Sequence, residues 1–176
     1  MSHGMRRSEE GAQLRLAGVA VASAGLVGLG WMFDTARRKR AAKRLHRGMV
    51  DLLLNALYAG DPVTARHSRR VADLSYALAQ AAGMRNGELH TLRVAALLHD
   101  MGKIDDRFFH IVHSRKPLTR QQRQEIKNHP HESAHILQPL ETEHPGIMQI
   151  VSSHHECWDG SGYPQGLHDL NIPLGG

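Results

Sequence analysis

One cysteine, Cys157, stands in the 176 residues, so no disulfide can form within the chain, as suits a reducing compartment. Aromatic residues make up only 5%, which disfavours recognition of nucleic acid on stacking platforms despite a net charge of +5. Alternating β-branched runs, hairpin dipeptides and internal repeats are all missing, which argues against a sheet protein or a repeat array. Seven prolines and 17 glycines without a period exclude collagen-like and proline-rich architectures. With 41% hydrophobic and 22% charged residues the chain can build a core, and its length allows one ordinary domain plus an appendage. What is abundant is histidine, with 14 copies, and imidazole is the commonest protein metal ligand.

Leu16 to Phe33 is a run of eighteen positions without a charge, about the length that spans a bilayer. Arg37, Arg38, Lys39, Arg40, Lys43, Arg44 and Arg47 follow it, outnumbering Arg6, Arg7 and Arg15 before it. The pattern predicts a single-pass transmembrane anchor over 14–34, a basic juxtamembrane linker over 35–50 and a cytoplasmic domain over 51–176, with 1–13 as an N-terminal segment. A cleaved signal peptide fits poorly, because the apolar run continues past Ala22-Ser23-Ala24 and the basic flank is on the wrong side. A buried soluble helix is the stronger rival. Ala20, Ala24 and Gly28 recur every four positions, a small-residue stripe from which a homodimer is a guess only.

Beyond Lys43 the apolar spacing is helical, and the architecture is expected to be an all-α bundle. Asp61-Pro62 pairs an N-cap with a proline at the first helical position. The helix it opens places His67, Val71, Leu74 and Leu78 on one face, so His67 is expected to point inward. A second helix from about Gly87 carries Leu92, Ala96 and His99 and breaks at Gly102, with Asp105-Asp106 at its end. A third is expected near Thr119, a fourth at Pro130, and a fifth from Pro145 with Ile147, Ile150, Val151 and His154 on one stripe.

Four helices thus deliver His67, His99, His129 and the pair His154-His155 from apolar faces. Singly each reads as a core histidine bonded to a carbonyl. Together, five imidazoles in a small bundle point to divalent metal ions, which satisfy all of them at once. Adjacent helical residues diverge by about 100°. His99-Asp100 and His154-His155 therefore suit two metals, with Asp100 as the bridging carboxylate. Such a pair of ions activates a water for attack on a phosphodiester, and Lys103 stands where its ammonium can meet a phosphate oxygen.

His99-Asp100-Met101-Gly102-Lys103 resembles the HD-x-GK signature of the HD phosphohydrolase superfamily. His154-His155-Glu156-Cys157-Trp158-Asp159-Gly160-Ser161-Gly162-Tyr163-Pro164 resembles the HHE-x-x-DG-x-GYP signature of its HD-GYP branch. Asp61-Pro62, His67-Ser68, Arg70-Val71-Ala72, Lys116-Pro117-Leu118-Thr119 and His129-Pro130 add supporting matches, and the likeness runs from about Leu53 to Leu174. It implies an HD-type bundle that hydrolyses the bacterial messenger cyclic di-GMP to pGpG or GMP at two or three ions, usually iron or manganese. Carried over, His99, Asp100, His129, His154 and His155 become metal ligands, Asp100 and Lys103 catalytic groups, and Lys103, Gly162, Tyr163 and Pro164 substrate contacts. His67 matches a further ligand of trinuclear members; those also carry a glutamate where this chain has Val63, which argues against a third metal.

In the family, the stretch matching Ile172-Pro173-Leu174 leads into a helix with one more ligand aspartate and basic residues for the substrate. Those positions fall beyond Gly176, so the domain is expected to be incomplete at its C-terminus. The resemblance leaves three classes: a cyclic di-GMP phosphodiesterase at the inner membrane, an HD hydrolase of another nucleotide, or a non-catalytic module. The last would bind metal, nucleotide or a partner such as a diguanylate cyclase domain.

Overall fold

A computed structural model describes the backbone over 2–176 and side chains over 31–176, apart from that of Asn86. All named elements among the described residues are helices: α1 (Ser2–Gly60), α2 (Pro62–Ala81), α3 (Asn86–Leu98), α4 (Asp106–Val112), α5 (Arg120–Ile126), α6 (His129–Ile136) and α7 (Ile147–Ser153). Short 3-10 turns lie at Met101–Ile104, Gln138–Leu140 and Asp169–Asn171. The all-α expectation holds.

The chain divides into two compact units, Met1–Leu45 and His46–Gly176. In the first, the basic stretch is helical, and an Arg38–Asp34 ion pair at 2.8 Å braces one exposed turn. Among the described residues no helix is long and apolar enough to cross a membrane. Most of the expected anchor falls on 14–30, whose side chains lie outside the described residues.

The second unit starts inside α1. Val50 and Leu57 are buried and Met49, Leu53 and Leu54 pack beside them, a 3.6-residue stripe that joins α1 to the core. Val94, Ala95 and Leu98 of α3, Ala134 and Leu137 of the α6 end, and Ile147 and Val151 of α7 complete that core. At Asp61 the chain turns a corner: its carboxylate accepts from the Val63 and Thr64 amides at 3.0 and 3.1 Å, which caps α2 as expected. Gly83, with φ +81, ends that helix region in the left-handed conformation that glycine tolerates best. Thr119 caps α5 reciprocally with Gln122, at 3.2 and 3.0 Å.

One expectation is corrected. α2 buries Thr64, Ala65, Ser68, Ala72 and Ala79, while Leu74 and Leu78 are exposed. Small residues let α2 lie close on α3, so the stripe through His67 and Val71 is turned to the edge of a cleft, and His67 is exposed rather than inward. Asp105 does close the 3-10 turn after Gly102, its amide donating to the Gly102 carbonyl at 3.3 Å, and its carboxylate, accepting from the Arg107 amide at 2.9 Å, also opens α4, whose Phe108 and Ile111 are buried.

Candidate metal centre

Three helix ends converge here. His99 follows α3, His129 begins α6, and His154 and His155 follow α7. Each of the first three ties Nδ1 to a carbonyl three residues back: His99 to Ala96 at 2.8 Å, His129 to Ile126 at 2.6 Å and His154 to Val151 at 2.6 Å. That bond makes Nδ1 the protonated nitrogen and leaves the Nε2 lone pair pointing inward. The Nε2 atoms of His129 and His154 come within 3.2 Å of each other.

Asp100 sits between the rings, 3% exposed. Its Oδ2 is 3.2 Å from His99 Nε2, and its Oδ1 is 3.3 Å from His129 Nε2 and 3.8 Å from His154 Nε2. Lys103 Nζ stands 2.6 Å from Oδ1, yet no hydrogen bond of acceptable geometry reaches that buried oxygen. Burial by itself would raise the Asp100 pKa; contacts with His129 and His99 and the charges of His99 and Lys103 outweigh it and hold the carboxylate ionised far below its usual range.

Three of the imidazoles are pushed toward the neutral form. Burial, with the neighbouring His99 and His155, pushes His154 down to about 3, against a helping carbonyl at Val151. Burial and then His129 push His155 down to about 4. His67 is lowered too, first by burial and then by His99, whose ring centroid is 5.6 Å away. Ligand atoms cluster in two groups, His67, His99 and Asp100 in one and His129, His154 and His155 in the other. Nε2 lone pairs turned inward by anchored Nδ1 atoms, one ionised carboxylate and a buried oxygen without a hydrogen bond fit divalent cations.

The structure therefore gathers every expected ligand. His67 enters from the exposed rim of the cleft, beside Val71, Ser75, Leu92 and Ala96. Lys103 reaches the site as the partner of Asp100. Gly102 is where α6 comes closest, its amide donating to Ser133 Oγ at 2.8 Å. Tyr163 stacks on His155 at 4.6 Å with planes 21° apart, and burial, then the Asp100 charge, keeps its hydroxyl protonated. Gly162 lies so near the Cys157 amide and the Glu156 Cα that no Cβ fits. With Lys127 and His131, the Gly162-Tyr163-Pro164 loop lines a polar hollow beside the centre.

Glu156 has a definite task that its position in the motif left open. Its carboxylate accepts from the Gln165 amide at 2.7 Å and the Leu167 amide at 2.9 Å, closing the loop on itself. Glu141, unnoticed in the sequence, does the same for α7, accepting from the Gly146 and Met148 amides at 2.7 and 3.2 Å. An acidic residue just ahead of a helix start is the signal that would have found it.

A family model described as an HD domain matches residues 51–176. A cyclic di-GMP phosphodiesterase of Thermotoga maritima is 38% identical over 124 residues, 66% of this chain and 32% of that protein. The 3'3'-cGAMP-specific phosphodiesterase 2 of Vibrio cholerae is 30% identical over 151 residues, 84% of this chain and 28% of that one. The cyclic di-GMP phosphodiesterase response regulator RpfG of Xanthomonas campestris is 30% identical over 129 residues, 73% of this chain and 34% of that one. The chain thus spans about a third or less of the length of these curated relatives.

Proposed function

The chain belongs to the HD domain family, in its HD-GYP branch, and from that membership we propose a metal-dependent phosphodiesterase that opens cyclic di-GMP to pGpG and on to GMP. The observation that carries this reading is Asp100, one carboxylate oxygen facing His99 and the other facing His129 and His154. His67, His99 and Asp100 would hold one ion and His129, His154 and His155 the other, with Asp100 between. Two such ions supply Lewis acidity and a water of lowered pKa for in-line attack on a phosphodiester. Iron or manganese suits a donor set of imidazole and carboxylate without thiolate.

The chain's own residues prepare that chemistry. Carbonyl anchors at Ala96, Ile126 and Val151 fix three rings before anything binds, which removes reorganisation from the reaction. Lys103 offers a cation beside the carboxylate, able to take a phosphate oxygen as well. Tyr163, held flat against His155, presents an aromatic surface and a protonated hydroxyl to a nucleotide base.

The test is anaerobic turnover of cyclic di-GMP by the chain loaded with iron(II) or manganese, with 3'3'-cGAMP beside it, since relatives carry both names. Turnover of cyclic di-GMP that falls roughly a hundredfold or more in Asp100→Asn, beyond what loss of a supporting partner costs, is the expected result. Preference for 3'3'-cGAMP would move the substrate within the cyclic dinucleotides. No turnover of either by folded, metal-loaded chain would overturn the enzyme and leave a binding module.

Location follows from the charge pattern. The uncharged run over 16–33 and the basic residues after it support an inner-membrane anchor with the HD unit in the cytoplasm.

A further inference from the structure

A second group of imidazoles forms away from this centre, where the sequence suggested nothing. His46 comes from α1, His90 from α3, and His144 from the segment before α7. The His144 ring centroid is 4.7 Å from His46 and 4.9 Å from His90, with planes tilted by 49° and 51°. His144 is 1% exposed, and neither of its ring nitrogens has a hydrogen-bond partner; His46 Nε2 is buried and unpartnered as well.

This is unlike the treatment of histidine elsewhere in the fold, where His99, His129 and His154 each have Nδ1 anchored on a carbonyl. A neutral imidazole carries one N–H and one lone pair, and burying both without partners is unfavourable. A leucine would fill the space without that penalty. Three histidines from three elements instead suggest that something accepts their lone pairs.

We propose that His46, His90 and His144 form a second metal site, for a borderline divalent ion such as zinc, which ties α1, α3 and the segment before α7 together. Rings that share one tetrahedral ion with metal–nitrogen bonds of about 2.1 Å have centroids about 5 Å apart. The 4.7 and 4.9 Å spacings match, as do those of rings assigned to one ion in the HD centre, 5.0 Å for His129–His155 and 5.2 Å for His129–His154. An all-imidazole set selects zinc, nickel or copper over magnesium or calcium. Both outer rings pack on His144 rather than on each other, so the exposed His90 ring is the one that turns to close the site. Burial, then His46 and His90, hold the His144 pKa down to about 4 against the opposing charge of Glu143, so at neutral pH no proton need leave before a metal binds.

The experiment is equilibrium dialysis of the full chain against zinc and, separately, cobalt(II), with metal counted per folded chain. Wild type is expected to hold one ion more than His90→Ala or His46→Ala, and the cobalt chain to show a tetrahedral visible band that both variants lose. His90 is exposed, so its variant keeps the fold and the loss is read as loss of a ligand. Asp100→Asn should lower occupancy of the HD centre and leave this ion in place, which separates the two sites. Equal metal per chain in wild type, His90→Ala and His46→Ala, all folded by circular dichroism, would overturn the proposal.

Discussion

A methyl group at position 102 would stand 2.6 Å from the His129 carbonyl oxygen and 2.8 Å from the Ser133 amide nitrogen. Both are backbone atoms of α6 and cannot step aside without moving His129. Gly102→Ala is therefore expected to destabilise the chain by about 1–3 kcal/mol in urea titration and to weaken metal binding with it. Asp61 acts on a smaller scale. Asp61→Ala removes the α2 cap and should lower stability by about 1 kcal/mol. Burial would raise the Asp61 pKa, but bonds from Thr64 and Val63 and the charge of His113 bring it below 3.8. Its contribution is thus complete above that value and disappears as pH falls through the lower folded one. His144 works at higher pH. Between about 6.5 and 4 the unfolded chain takes up a proton that the folded ring refuses. Stability of the metal-free chain therefore falls as pH falls through that window, with a smaller slope in His144→Leu, as denaturant titrations at pH 7 and pH 5 will show.

The loop after His155 keeps its shape through side chains that bond its own backbone. Asp159 accepts from the Ser161 amide at 2.9 Å, and Glu156 holds both the Gln165 and Leu167 amides. Glu156→Ala should therefore speed hydrogen exchange at those two amides by about tenfold, with little change at α7, because one charged acceptor serves both. Equal protection in the variant would mean that packing of Tyr163 on His155 already holds the loop. α2 carries a different lesson. Its helical period is plain in the sequence and points to a face through Leu74 and Leu78, whereas the buried face runs through Ala65, Ala72 and Ala79. The smaller residues won the core because close approach to α3 favours them.

At the scale of the whole molecule the excess of positive charge is carried conspicuously by 37–47. An anchor oriented by this charge predicts that reversing Arg37, Arg38, Lys39 and Arg40 to glutamate lowers the fraction of chains with the HD unit on the cytoplasmic face, as protease accessibility in spheroplasts will show. An unchanged fraction would count against the anchor's proposed orientation. The all-α class, the caps at Asp61 and Thr119 and the six residues that meet in the candidate metal centre were all legible in the sequence. Helical period, capping chemistry and the two motifs are local, so neighbouring residues carry them. What the tertiary structure alone decided was which neighbours each side chain met. It placed His67 at the rim, gave Asp105 to α4, set Glu141 on α7 and brought His46, His90 and His144 together. Those three histidines are 44 and 54 positions apart along the chain. Only the packing of α1, α3 and the segment before α7 makes them one group, and no local periodicity encodes that meeting.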